Sequence, residues 1–220
     1  MQDLKATLIG ATGLIGSELF ELLIEDEAFS EIKILVRREV DFKHPKVKTA
    51  IIDFEDEAAF QSEILAGSII FCAVGTTNKK ARGDKSKYRK VDYDIPVNAA
   101  KFGLGKGCKQ FVLVSSYGAN SSSSNFYTKL KGEVEDRLQE LSIPSLAIFR
   151  PSILLGNRDE FRLGELTAKF LMNAFSFLLA TNVKPIQAKD VAKSMMIAAK
   201  KNPEGTQVYQ YKEMMDSINK

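Results

Sequence analysis

The stretch Leu8-Ile9-Gly10-Ala11-Thr12-Gly13-Leu14-Ile15-Gly16 decides how this chain is read. It joins a short apolar strand over residues 6–9 to an amphipathic helix through three glycines spaced three apart. Ile15, Leu19, Leu22 and Leu23 fall at i, i+4, i+7 and i+8, the spacing of one apolar helix face. Gly10 permits a tight turn out of the strand, Gly13 lets backbone approach a pyrophosphate, and Gly16 lets the helix lie close on the strand. The helix N-terminus adds free N–H groups and the positive end of a dipole, both suited to an anion. A glycine-rich turn alone is a common feature. With a strand before it and a helix after it, this one reads as a dinucleotide phosphate site.

Outward from that turn, apolar β-rich runs alternate with helical patterns. Strands are expected over 32–36, 47–52, 69–74, 111–114 and 146–149, with helices over 58–65, 93–102 and 126–141. The run 69–74 is continuously apolar, as a parallel strand buried on both faces should be. The alternation is that of an α/β protein with a doubly wound parallel sheet. Past Pro151 the pattern lapses; helices are expected over 166–179 and 190–200, and a short strand over 207–211. The chain therefore reads as one domain. Residues 1–150 form a dinucleotide-binding core, and 151–220 a small C-terminal lobe across the carboxyl edge of the sheet, where open α/β folds bind ligands.

A net charge of +3 is too small to argue for nucleic acid or an anionic membrane as partner. Cys72 and Cys108 lie in different segments without CxxC pairing, so free thiols and a reducing, cytoplasmic setting are expected. No charged-then-apolar leader opens the chain, and no apolar run reaches the ~18 residues of a membrane span. The run 170–180 is short and carries Asn173 and Ser176, so it reads as a buried helix. His44 sits beside Pro45 without ligand-spaced partners; it reads as surface, and no metal is expected.

The exit of the second strand bears on which dinucleotide is held. NAD binders usually place an acidic residue about 20 residues beyond the glycines to bond the ribose 2′-OH. Here Arg37 and Arg38 stand instead, and guanidinium groups can grip a 2′-phosphate bidentately, which favours NADP(H). Asp53 and Phe54, past the third strand, are placed to border the adenine; for Asp53 a helix N-cap is the competing reading.

The chemistry is expected from Ser115-Ser116 and from Tyr127 and Lys131, which are i and i+4 and share a helix face. A phenol titrates near pH 10, and an adjacent ammonium favours the phenolate, bringing it toward acid–base work at neutral pH. A serine hydroxyl at the end of the preceding strand can hold a substrate oxygen. Tyr127 as a packing residue and Lys131 as a solvated lysine is the plainer alternative.

Together these blocks resemble the short-chain dehydrogenase/reductase superfamily of the atypical kind, and most of all its Tat-interacting protein oxidoreductase subgroup. Further likeness lies in Phe71-Cys72-Ala73-Val74-Gly75-Thr76-Thr77, Val91-Asp92-Tyr93-Asp94, Val114-Ser115-Ser116-Tyr117-Gly118-Ala119, Lys131-Gly132-Glu133-Val134-Glu135 and Phe149-Arg150-Pro151-Ser152-Ile153-Leu154. The resemblance implies a Rossmann fold and a Ser116, Tyr127 and Lys131 triad, with Ser115 a rival because the pair makes the register ambiguous. It implies cofactor contacts from Gly10, Thr12, Gly13, Leu14, Ile15 and Gly16, from Arg37 and Arg38, and from Asp53 and Phe54. Ala73, Val74, Gly75 and Thr76 would lie along the nicotinamide ribose with Tyr127 and Lys131, and Pro151, Ser152 and Ile153 against the nicotinamide. One departure stands out: where many relatives place asparagine this chain has Asp92, with Asn98 further on, so the relay asparagine is unassigned.

The expected function is an NADP-dependent oxidoreductase acting on a small carbonyl or alcohol. The alternative is a non-catalytic NADP(H)-binding regulator of a protein partner, which the resemblance also suggests; an epimerase or dehydratase is a third reading. The basic segment Lys79, Lys80, Arg82, Lys85, Lys87, Arg89 and Lys90 reads as a cofactor lid, an acidic-partner contact, or a solvated loop. The helix over 170–179 is either core or homodimer surface.

Overall fold

The computed structural model describes residues 3–76, 84–156 and 183–219. In chain order its elements are β1 (Leu4–Ile9), α1 (Leu14–Glu25), β2 (Phe29–Val36), β3 (Val47–Ile51), α2 (Glu57–Glu63), β4 (Ile69–Cys72) and α3 (Lys85–Arg89). A π turn (Lys90–Asp94), α4 (Ile95–Gly105), β5 (Gln110–Val114), α5 (Phe126–Glu140), β6 (Ser145–Phe149) and β7 (Leu154–Leu155) come next. The chain closes with β8 (Ile186–Gln187), α6 (Ala188–Lys201), β9 (Gly205–Tyr209) and α7 (Tyr211–Ile218). Seven strands form one parallel sheet in the order β3-β2-β1-β4-β5-β6-β9. The strand order reverses between β1 and β4, the place where an open α/β sheet leaves a crevice at its carboxyl edge. This is the expected doubly wound fold.

The two-residue period of the strands divides the core. On one face Ala6, Leu8, Ile34, Phe71 and Phe149 pack with Ile15, Leu19 and Leu23 of α1 and Val191 and Met195 of α6. On the other, Ile9, Leu35, Ile70, Leu113 and Ile148 pack with Phe60 of α2, Phe102 of α4 and Leu138 of α5. The inner strands thus alternate between two apolar layers, so both faces of the sheet's centre are covered.

The strand expected over 207–211 is β9, which pairs with β6 as the seventh strand and stacks Tyr209 on Phe149 at 4.6 Å. α6 is buried against α1, and β9 adds the last strand to the main sheet. β9 carries few buried side chains, which is why its pattern was faint. The helix expected over 166–179, and the run 170–180 within it, lie outside the described residues.

Three local details differ from expectation. The helix expected over 93–102 begins earlier and contains the π turn. Pro96 has no N–H for the carbonyl four residues back, at Asp92, and its ring crowds that group, so a widened turn precedes it. Asp56, not Asp53, caps α2 by accepting the Ala59 N–H. His44 is half-buried, with Nδ1 accepting the Lys46 N–H at 3.3 Å.

Candidate cofactor and catalytic site

The glycine turn is held by contacts that leave no room for side chains. Gly10 has φ +96°, and a Cβ there would lie 2.6 Å from the Ala73 carbonyl oxygen at the exit of β4. At Gly16 the same atom would come within 2.1 Å of the Gly10 oxygen. At Gly13 it would sit 2.9 Å from that oxygen, which accepts the Gly13 N–H at 2.8 Å. Gly13 is therefore required by the turn's own packing, whether or not a phosphate approaches. α1 starts at Gly13 with no side-chain cap and no acidic residue in its first turn. The positive end of the helix dipole lies at this uncapped start, a fit for a pyrophosphate. Thr12 is exposed on this turn, Leu14 is half-buried against the Gly156 backbone, and Ile15 is in the core, offering only its backbone.

Beyond the turn, Arg37 and Arg38 are exposed on a bend after β2, and neither forms an ion pair among the described residues. Two cations left without carboxylate partners suit a phosphate. Asp53 accepts the Glu55 N–H at 3.0 Å in a local turn, and Phe54 meets Phe60 edge-on at 4.8 Å. These residues bring four elements to one carboxyl edge. The half-buried segment Ala73, Val74, Gly75 and Thr76 lies next to the turn, tied by the Ala73 N–H to the Ile9 carbonyl at 2.9 Å.

On the far side of that segment stand Tyr127 and Lys131. Asn125 caps α5 by accepting the Tyr127 and Thr128 N–H groups. Close packing of Gly132 on the backbone of Asn120 and Ser121 seats this helix, since a Cβ would lie 2.1 Å from Ser121 N. Tyr127, in the first turn, is 38% exposed. Lys131, one turn further in, is 5% exposed, with Nζ 6.0 Å from the Tyr127 ring centre. The plainer reading of Lys131 as a solvated lysine is thereby excluded.

Sequence reasoning missed what holds Lys131. Asp92, 1% exposed, places Oδ1 2.8 Å from Lys131 Nζ, too oblique for a well-aligned hydrogen bond but a close charge pair. Its Oδ2 accepts the Thr76 N–H at 2.8 Å. Tyr88, one turn earlier, donates its hydroxyl to the Thr76 carbonyl at 3.1 Å and meets the Tyr127 ring edge-on at 6.3 Å. Burial works against the Lys131 ammonium, but the Asp92 carboxylate and then Tyr127 outweigh it and hold its titration above the usual lysine range. The nearby Cys72 thiol, at the end of β4, is pushed by burial up to about 12 and stays neutral. Asn98 is half-buried on α4.

The serine pair is divided by a second buried carboxylate. Ser115 donates its hydroxyl to Glu135 of α5, which also accepts Arg150 Nε at 3.1 Å on each oxygen and a further bond from Arg150 Nη2. Glu135 raises the Arg150 guanidinium above its ordinary range. Among the described residues the Ser116 hydroxyl reaches only the Tyr117 carbonyl, at 3.3 Å. Pro151 accepts the Tyr117 N–H at 2.9 Å, which ties the exits of β5 and β6, and Ser152 bonds the Lys184 carbonyl at 2.6 Å. Ile153 continues the same tie by accepting the Ile186 N–H. The signals that could have found Asp92 and Glu135 are carboxylates at positions otherwise reading as buried helix face.

Over residues 10–150 the sequence matches the family model described as NAD(P)H-binding. The chain belongs to that NAD(P)H-binding family. It is 36% identical over 204 residues to the mitochondrial protein FMP52 of Candida albicans, covering 90% of this chain and 89% of that one. It is 35% identical over 172 residues to protein HTATIP2 of Rattus norvegicus, covering 77% and 70%. The structure superposes on the Bordetella bronchiseptica enzyme WbmH, solved in complex with NAD+, with a TM-score of 0.73 and 17% identity over 95% of this chain and 76% of that one. The NAD(P)-binding Rossmann fold and the atypical short-chain dehydrogenase/reductase likeness hold. The cytoplasmic placement does not: several fungal relatives are named mitochondrial. The buried free thiols Cys72 and Cys108 argue only against an oxidising compartment, so they cannot choose between reducing ones.

Proposed function

We propose that this NAD(P)H-binding protein is an NADP-dependent oxidoreductase of a small carbonyl or alcohol, with Ser116, Tyr127 and Lys131 as its reacting set. The single observation behind this is an accessible phenol over a buried, charge-paired lysine, at the carboxyl edge beside the glycine turn. A regulator that merely sensed cofactor would have no need to bury an ammonium beside an open phenol. A nicotinamide dinucleotide, when bound here, would supply or take the hydride. Tyr127 gives its proton to the substrate oxygen in reduction and recovers it in oxidation, and the Lys131 charge favours the phenolate left behind. Ser116 orients the substrate oxygen, because the Ser115 hydroxyl is already donated to Glu135.

For the cofactor, the uncapped start of α1 takes the pyrophosphate, Arg37 and Arg38 the 2′-phosphate, and Asp53 with Phe54 borders the adenine. Ala73 to Thr76 and Lys131 line the nicotinamide ribose, and Pro151 to Ile153 its ring. The test is titration with NADPH and NADH, followed by a screen of small aldehydes and ketones for cofactor consumption. NADPH oxidation by wild type, and a rate nearly abolished in Tyr127→Phe, is the expected outcome. Unchanged turnover in Tyr127→Phe would overturn the assignment.

A further inference from the structure

We propose that Asp92 is a positioning residue: it holds the Lys131 ammonium beside Tyr127 and, with Tyr88, grips the Thr76 peptide, joining the cofactor-side loop to the catalytic helix. The proposal rests on the reading of Tyr127 and Lys131 as the reacting pair. The geometry behind it is compact. Tyr88 and Asp92 are four residues apart on one continuous helical stretch, and between them they bond both polar groups of the Thr76 peptide. The same two side chains reach α5, Tyr88 through the Tyr127 ring and Asp92 through Lys131. The π turn before Pro96 is the local distortion that carries Asp92, and such turns recur at functional positions.

Charge gives the arrangement its consequence. The groups facing Lys131 are Asp92 from the π turn, Tyr127 from its own helix and the neutral Cys72 thiol from β4. Of these, Asp92 contributes most toward keeping the ammonium charged against burial. Asp92→Asn preserves shape and an acceptor for the Thr76 N–H, but it removes the largest of the influences that oppose burial. Lys131 then loses its proton more readily, so the variant loses kcat on the alkaline side at lower pH than wild type. Each unit by which Lys131 falls below the working pH costs about tenfold. A residue that only fills space would scale kcat equally at all pH values.

The same sign governs stability. In wild type the raised Lys131 titration stabilises the fold below about pH 10, the unfolded lysine value, and that contribution fades as pH rises through the folded value. In Asp92→Asn a lowered Lys131 titration destabilises near neutrality and the deficit shrinks toward about pH 10. Melting of wild type, Asp92→Asn, Lys131→Met and the double variant is therefore measured at about pH 7 and about pH 10. We expect Asp92→Asn to melt roughly 5 °C or more below wild type at neutral pH, with a smaller gap in alkali. In the Lys131→Met background the same substitution should cost little, since no buried cation remains.

A gap independent of pH, or one that persists without Lys131, overturns the proposal. Should Asp92→Asn fail to fold, the double variant against Lys131→Met decides the matter. Tyr88→Phe, which removes the hydroxyl that bonds the Thr76 carbonyl, should weaken NADPH binding while leaving the melting gap of Asp92→Asn in place; unchanged NADPH affinity removes the grip on Thr76. Wild type that binds NADPH but consumes it with no carbonyl defeats the oxidoreductase reading, and the melting curves still decide the role of Asp92.

Discussion

The glycine turn and the edge that carries Tyr127 and Lys131 are neighbours in space but are built in opposite ways. Gly10, Gly13 and Gly16 work through what they lack: their backbones meet one another and the Ala73 carbonyl at distances that exclude any side chain. At the Tyr127–Lys131 edge, side chains do the holding, with buried carboxylates at Asp92 and Glu135 setting Lys131 on one hand and Ser115 on the other. A backbone-built site depends on nearby residues and tolerates little substitution. A charge-built site draws on distant elements and responds to charge and pH.

This contrast can be broken in four places. The largest effect is expected at the open phenol, where Tyr127→Phe should lower kcat by about 10²- to 10⁴-fold, the usual range for a lost acid–base group, with NADPH affinity nearly unchanged. Steady-state kinetics and calorimetry on the same preparation read both. Next comes Glu135→Gln, which leaves the half-buried Arg150 and buried Ser115 facing a neutral amide. Loss of one partner of a buried pair destabilises by roughly 3 kcal/mol, and chemical unfolding measures it. A cost near zero would mean that Arg150 finds solvent instead.

Gly16→Ala tests the other half of the contrast. Its new methyl must displace the Gly10 backbone, and overpacking of this kind costs about 1–3 kcal/mol, with NADPH affinity falling alongside stability. If binding survives while stability drops, the turn can shift without losing its ligand. The smallest effect should come from Arg37→Asp with Arg38→Ala, for which NADPH affinity should fall about tenfold to a hundredfold and NADH affinity far less. Equal losses for both coenzymes would remove the 2′-phosphate contact.

Much of this protein was legible from residues near one another in the chain. The strand-turn-helix at Gly10, the alternation of later elements, and the pairing of Tyr127 with Lys131 on one helix face all follow from spacing, because steric rules and helix geometry act over a few residues. The membership of β9 in the sheet was only faintly legible, since Gly205–Tyr209 is an edge strand with little of the apolar alternation that marks buried ones. Compartment was not legible: free thiols carry no address.

What the amino-acid order determined by itself was the doubly wound fold and the place of the glycine turn, because these depend on local backbone freedom and on the period of apolar residues. Only the tertiary structure decided which serine is already engaged and what charge lies against Lys131. Those answers rest on Glu135 meeting Ser115 across 20 residues and Asp92 meeting Lys131 from another segment. Electrostatic contacts inside a protein are set by which segments fold together, and spacing along a chain holds no record of them.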